Sequence, residues 1–139
     1  MNLVERASQT LARIEESLFA MWDALPELFI AVDEEGKIRR ISAACEMTLG
    51  WTKAEMQGQH WFLFTHPDDL SRTAAVYDEH RGSGHPIVGL PACWRTKDGE
   101  YVQLYWYTPS TTMGGVSFSV ATLKIPGTPD SKPILYTVK

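Results

Sequence analysis

Apolar and polar residues alternate along two neighbouring segments, residues 88–95 and 101–107, on either side of Lys97-Asp98-Gly99. Such alternation is typical of strands with one buried face, and an Asp-Gly pair supplies the positive φ of a tight turn. The apolar positions are Val88, Leu90, Ala92 and Trp94, then Val102, Leu104 and Trp106. The pattern therefore predicts an antiparallel hairpin. Because Pro91 has no backbone N–H to donate, we expect the first strand at a sheet edge.

Residues 1–24 carry apolar side chains at spacings of three and four, the period of an amphipathic helix. The apolar stripe consists of Val4, Ala7, Leu11, Ile14, Leu18 and Met21. This stripe is narrower than the face that a helix usually buries against its own domain, so it predicts a homodimer that pairs through the helix. We expect the outer sheet face to complete the interface with Phe29, Ala31, Tyr101, Tyr105 and Tyr107. The alternative is a monomer whose helix folds back over its own sheet.

The rest of the chain predicts three more strands and three helices. Asp33 to Gly36 reads as a turn between two strands, and Thr52 with Glu55 forms a capping box. Pro67 suits the first turn of a longer helix, where two following carboxylates complement the helix dipole. The strands lie at 28–33, 37–42, 88–95, 101–107 and 116–125, and the helices at 43–49, after Thr52 and from Pro67 to about Arg81. This order predicts an α+β domain, a five-stranded antiparallel sheet with helices on one face.

The composition is that of an ordinary globular domain. At 139 residues the chain fits one domain, and 44% hydrophobic with 22% charged residues is usual for such a protein. A net charge of -4 without a basic patch argues against nucleic acid and membranes as partners. No apolar stretch approaches the roughly 20 residues of a membrane span. Cys45 and Cys93 are far apart in the sequence, which favours reduced thiols and a cytoplasmic protein.

Four motifs resemble those of PAS domains, the sensory fold of bacterial signalling proteins. They are Asp33 to Gly36, Leu49-Gly50-Trp51-Thr52 with Glu55 and Gly58, His66-Pro67-Asp68-Asp69, and Lys97-Asp98-Gly99 with Trp106 downstream. The resemblance covers residues 25–125 and leaves 1–24 as an N-terminal amphipathic helix and 126–139 as a C-terminal tail. It implies the strand order 2-1-5-4-3, with the strands at 37–42 and 88–95 at the two edges. It also implies a non-catalytic sensory or interaction module of signal transduction.

The resemblance further implies a ligand cavity between the sheet and the helices. The candidate cavity residues are Trp61, Tyr77, Leu90, Ala92, Leu104, Trp106 and Phe118. Met47 is expected to face the same interior. Trp61 and Trp106 each carry an indole N–H that needs a partner when buried, and a small-molecule ligand or a backbone carbonyl can supply it. The alternative is a closed core, in which case the domain only dimerises or docks a signalling partner protein.

The sequence argues against a cofactor, a metal and catalysis. Light-sensing flavin versions of the fold carry a reactive Cys where this chain has Trp61, and haem versions need a His ligand inside the cavity. Only His60 is near that cavity, and we expect His80 and His85 to be solvated beside a glycine-rich loop. These two are too few to hold zinc. No pair of a nucleophile and a base is evident either. A haem or flavin sensor and an enzyme of a similar cone-shaped fold are therefore distant alternatives.

Overall fold

The computed structural model describes residues 2–110, 112, 114–123 and 135–137. The helices are α1 (Leu3–Ala24), α2 (Ala43–Leu49), α3 (Lys53–Met56) and α4 (Pro67–Ser83), with a 3-10 helix at Trp61–Phe64 before α4. The strands are β1 (Leu28–Val32), β2 (Ile38–Ile41), β3 (Ile87–Arg95), β4 (Glu100–Thr108), β5 (Ser117–Thr122) and β6 (Leu135–Thr137). The predicted α+β class is confirmed. None of the described helices is long and apolar enough to cross a membrane.

The strands form one antiparallel sheet in the order β2-β1-β5-β4-β3. The predicted order is confirmed, and β3, which contains Pro91, is an edge strand. The sequence did not predict β6, which lies within the segment interpreted as a tail. Val102 of β4 pairs with Trp94 of β3 on one side and with Leu135 of β6 on the other, so β6 occupies the edge of β4 that β5 leaves open. Most of the predicted tail and the end of the predicted last strand lie outside the described residues.

The β3–β4 hairpin follows the predicted turn but contains an irregularity that the alternation did not indicate. Gly99 has φ +89° in the turn, as the Asp-Gly pair requires. Gly89 also has a positive φ, and the register shifts between Val88 and Leu90. Because this bulge reverses the alternation, Ile87 is buried and Val88 is 75% exposed. The prediction that Val88 shares the inner face was therefore wrong.

The core lies between the inner face of the sheet and the helices α2 to α4. Its fully buried side chains include Leu28, Ile30, Ile38, Leu49, Met56 and Leu104. Helix α2 turns Ala44, Cys45 and Leu49 inward and leaves Met47 87% exposed, so the prediction that Met47 faces the interior was wrong. Met47 lies three residues after Ala44, a spacing that can place two residues on one helix face. The face that α2 buries is narrow, however, and does not include Met47.

The start of each helix follows the local sequence. The predicted capping box of Thr52 and Glu55 is present at α3, with both reciprocal hydrogen bonds. Helix α4 begins at Pro67 and ends at Gly84, whose φ of +77° suits a glycine. Its N-cap is His66, whose Nδ1 accepts the N–H of Asp68 at 2.9 Å. These local signals fix where the 3-10 helix and α4 meet the sheet.

Candidate functional site

A small cavity of about 60 Å³ lies between the inner face of the sheet and α4. Its walls include five of the predicted cavity residues, namely Trp61, Tyr77, Leu90, Ala92 and Trp106. The remaining wall residues are Ile30, Val32, Thr73, Ile87, Trp94, Thr108 and Ser119. Leu104 is buried in the same core but does not line the cavity, so its assignment to the wall was wrong.

Phe118 does not reach this cavity because of the register between β1 and β5. Ile30 pairs with Ser119, and Ala31 pairs with Phe118. Paired residues of an antiparallel ladder point to the same face, so Ser119 faces inward with Ile30 and Phe118 faces outward with Ala31. The ring of Phe118 packs instead against Trp22 of α1. Its prediction as a cavity residue was therefore wrong.

Three hydrogen-bonding groups of the cavity walls are buried without a partner in the described part of the chain. They are Nε1 of Trp61, Nε1 of Trp106 and the hydroxyl of Tyr77. The ring of Tyr77 meets Trp61 edge-on at 5.4 Å, and Trp106 packs against Trp94 at 4.8 Å, so the rings are held from several sides. A buried donor without a partner costs roughly 1–3 kcal/mol, and the site thus favours a molecule that accepts hydrogen bonds.

Among the described residues, no charged side chain lines the cavity. Burial raises the pKa of Tyr77, although Arg81 and Ser117 act in the opposite direction, so the hydroxyl is protonated and can donate. The hydroxyls of Thr108 and Ser119 lie 2.7 Å apart and satisfy each other. Thr73 donates to the carbonyl of Asp69 at 2.8 Å. The groups left to a ligand are therefore the two indoles, because the tyrosine hydroxyl has Ser117 beside it.

Of the histidines, His80 differs from the sequence-based expectation, whereas His85 is exposed as expected. His60 is not a cavity wall but the N-cap of the 3-10 helix, where Nδ1 accepts the N–H of Phe62 at 3.1 Å. His80, which we expected to be solvated, is only 3% exposed, and its Nδ1 lies 2.7 Å from the carbonyl of His85. The expectation for His80 was wrong because His80 lies seven residues after Thr73, on the face of α4 that is buried against the domain.

The described residues offer neither a metal cluster nor a reactive thiol. No group of three His, Cys, Asp or Glu side chains among them lies close enough together to hold an ion. Cys45 and Cys93 are both buried and free. Burial raises the pKa of each thiol to about 11, in Cys93 with help from Asp69. Both cysteines are therefore protonated at neutral pH and are poor nucleophiles.

A second and much larger space, about 890 Å³, separates α1 from the outer face of the sheet. The helix contributes Leu18, Phe19 and Trp22 to this groove, and β5 contributes Phe118 and Val120. Phe29, Ala31 and Tyr107 of the predicted interface also line it. Tyr101 is buried beside His66, with ring centroids 4.3 Å apart, and does not line this groove.

Helix α1 is attached to the domain near its C-terminal end. Trp22 packs against Phe29 at 5.1 Å, and the guanidinium of Arg40 lies 3.3 Å above the ring of Phe19. Asp23 accepts the N–H of Ala43 at 2.9 Å. Every residue of α1 from Leu3 to Leu18 is exposed, and so is Met21. All six residues of the predicted interface stripe are thus accessible to a partner.

Comparison with known proteins gives a consistent picture. The profile of a family described as PAS fold matches residues 33–114, more than half of the chain. No curated protein sequence matches. The chain is similar in structure to a domain of the sensory box sensor histidine kinase/response regulator from Geobacter sulfurreducens. The two are 18% identical, with a TM-score of 0.68, and the match covers 80% of this chain and 95% of that one.

Two further solved structures have the same fold. The PAS domain of an HTR-like protein from Haloarcula marismortui is 14% identical, with a TM-score of 0.66 and coverage of 85% of this chain and 98% of that one. The RpfR quorum-sensing receptor PAS domain of Cronobacter turicensis, in complex with C12:0, is 18% identical, with a TM-score of 0.61 and coverage of 70% and 93%. These similarities concern the arrangement of helices and strands.

Proposed function

This chain belongs to the PAS family of sensory and signalling domains, and from that membership we propose that it binds a small uncharged molecule in its inner cavity. The observation that carries the proposal is the pair of buried donors without partners, Trp61 Nε1 and Trp106 Nε1, on the walls of one cavity. A ligand with an acceptor oxygen satisfies them and removes the cost of their burial.

The size and the charge of the cavity define the class of ligand. Its volume of about 60 Å³ is well below the roughly 300–1,000 Å³ of usual ligand pockets. An anion would lose its hydration without gaining a cationic partner, because no Arg, Lys or His lines the walls. The apolar surroundings and the donors together favour a compact carbonyl compound or a molecule with similar polarity. For a ligand of the size of C12:0, bound by the RpfR domain, we expect no room.

The indole resonances of the protein test this proposal directly. In nuclear magnetic resonance titrations we expect acetone to shift the Nε1–H signals of Trp61 and Trp106 in a saturable manner, whereas acetate, which is similar in size, leaves them unchanged. Trp51 provides an internal control, since its Nε1 already donates to the carbonyl of Arg95 at 2.9 Å. Trp106→Phe keeps an aromatic ring but removes a donor, and it should weaken acetone binding roughly tenfold.

The matched control is Trp51→Phe, which should bind acetone as the wild type does. Equal shifts of all three indoles would indicate a solvent effect and contradict the proposal. A saturable response to acetate but not to acetone would contradict the proposed ligand class. Absence of any response, with ordered water as the only partner of the donors, would remove the cavity as a ligand site.

We further propose that the domain is a non-catalytic homodimer and passes its signal through α1. The supporting observation is that α1 leaves its apolar stripe exposed while its last turns are attached to the outer sheet face. At about 100° per residue, Val4, Leu11, Leu18 and Trp22 lie within about 40° of one another around the helix. The exposed stripe is therefore continuous with the groove, and a second copy of α1 can cover both.

Sedimentation velocity distinguishes the dimer from a monomer. We expect the wild type to be a dimer, and Leu11→Glu with Leu18→Glu to give a folded monomer or a weakened dimer, since a charge in the stripe must be desolvated on pairing. Gln9→Glu with Ala20→Glu adds the same charges on the opposite side of α1 and should leave the dimer intact. A monomeric wild type at high concentration, or an unchanged dimer in the leucine variant, would contradict the proposed interface.

A further inference from the structure

His60 connects the β1–β2 turn to the wall of the inner cavity. It follows Gln59, whose carbonyl accepts the N–H of Ile38 at 2.8 Å, and it forms an isolated bridge with Lys37. Its ring lies directly against Gly36, leaving no room for a β-carbon there. The N–H of Trp61, the next residue, donates to the carbonyl of Gly36 at 3.1 Å. The turn, the imidazole and the start of the 3-10 helix are therefore one connected unit.

The imidazole holds the 3-10 helix through its lone pair. Nδ1 of His60 accepts the N–H of Phe62 at 3.1 Å, which requires that Nδ1 carries no proton. The ring also stacks on Trp61 at 6.0 Å and contacts Phe62 at 4.0 Å between centroids. Trp61 is both the first residue of this helix and a wall of the cavity. The position of Trp61 thus depends on a bond that only a neutral histidine can accept.

The surroundings oppose a charge on this ring. Partial burial is the main reason that the pKa of His60 lies below its ordinary value, and Lys37 acts in the same direction. The carboxylate of Asp33 and the backbone carbonyl of Glu35 act in the opposite direction. These are the groups of the β1–β2 turn that act on the ring, whereas the 3-10 helix presents only the apolar residues Trp61 to Phe64. The neutral ring is therefore the resting form at neutral pH.

We propose that His60 makes the cavity acid-sensitive: protonation of Nδ1 removes the acceptor of the Phe62 N–H and displaces Trp61 from the cavity wall. A protonated Nδ1 points a hydrogen at the N–H it previously bound, so the first turn of the 3-10 helix must move. Trp61 moves with it because the two residues are neighbours and their rings stack. The proposal concerns the position of Trp61 and does not depend on ligand binding, so it and the cavity proposal fail separately.

His66 provides an internal comparison. It caps α4 in the same way, with Nδ1 accepting the N–H of Asp68 at 2.9 Å, but its ring packs against Tyr101 rather than against a cavity wall. A change at this cap should affect the start of α4 and leave Trp61 in place. Replacing either histidine by asparagine keeps a side-chain oxygen that can accept the cap hydrogen bond, without a group that titrates near neutral pH.

The experiment is a pH titration of the full chain between about pH 8 and about pH 5, followed by nuclear magnetic resonance. We expect the Trp61 indole signal to shift with the same midpoint as the ring protons of His60, below pH 6.5, the ordinary value. His60→Asn should abolish the indole shift, and His66→Asn should retain it. A Trp61 signal that stays constant in the wild type while His60 titrates would overturn the proposal. So would an unchanged shift in a folded His60→Asn variant.

Discussion

Trp22 of α1 packs against Phe118 of β5 on the outer face of the sheet, with their ring centroids 5.8 Å apart. Phe29 of β1 lies on the same side of the sheet and contacts the same indole at 5.1 Å. The last turns of α1 are thereby attached to the two central strands β1 and β5, which also form the floor of the inner cavity through their opposite faces. This contact gives a physical route from the cavity side of the sheet to the exposed stripe of α1.

Replacing Trp22 should detach α1 without unfolding the domain. Trp22→Ala removes the contacts with Phe29 and Phe118, a loss of roughly 1–3 kcal/mol from the attachment of the helix. We expect hydrogen exchange of the α1 amides to accelerate while the β1 and β5 amides remain protected. Glu16→Ala, at an exposed residue on the side of α1 opposite the stripe, is the control and should change little. Equal protection of α1 in the Trp22 variant and the wild type would show that this contact does not hold the helix.

Gly36 should be intolerant of any side chain. Its φ is +83°, and a β-carbon at this position would overlap the ring of His60. Gly36→Ala should therefore lower the free energy of unfolding by about 1–3 kcal/mol. Gly82→Ala is the matched control, because Gly82 lies in α4 with open space around it and gains roughly 0.5–1 kcal/mol of helix propensity. Urea unfolding of both variants checks the prediction, and a fully stable Gly36→Ala would contradict the packing of His60.

The sequence predicted those features that depend on local patterns. The helix periodicity of α1, the capping box of Thr52 and the Asp-Gly turn are each local patterns, so these features were predicted, whereas the 3-10 helix and β6 were not. The strand order followed from the family resemblance. Five of the seven candidate cavity residues line the inner cavity, and each belongs to an element whose inward face is clear from its own sequence.

The errors arose where distant residues determine the outcome. The direction of Phe118 depends on the pairing of β5 with β1, and the direction of Val88 depends on the bulge at Gly89. A glycine inside a strand pattern is a known sign of a bulge, so the error at Val88 had a signal in the sequence. The contact of the His60 ring with Gly36 had none, because it forms only when the β1–β2 turn comes against a residue more than 20 positions later in the chain.

Purified protein should show no absorption from haem or flavin, even after incubation with either group. The inner cavity of about 60 Å³ cannot admit a tetrapyrrole or an isoalloxazine ring, and Nδ1 of His60 is already engaged with Phe62. An absorption spectrum recorded after gel filtration checks this. A Soret band that disappears on replacing His60 would contradict both the size of the cavity and the role assigned to that histidine.

The two buried thiols should make the protein less stable at alkaline pH. Burial raises the pKa of Cys45 and Cys93 to about 11, whereas the unfolded chain has the ordinary value of 9.0. Below pH 9 both states are protonated and the stabilisation is complete. As the pH rises towards 11 the unfolded state loses its protons first, so the free energy of unfolding falls.

Tyrosines and lysines titrate in the same range, and a matched variant must separate their effect. The thiol of Cys45 donates to the carbonyl of Phe29 at 3.4 Å. Cys45→Ser keeps a donor for this carbonyl but removes the group that titrates. In urea unfolding, the stability of this variant should therefore fall less steeply with pH than that of the wild type. Parallel curves for the two proteins would show that Cys45 is not protected from ionisation by its burial.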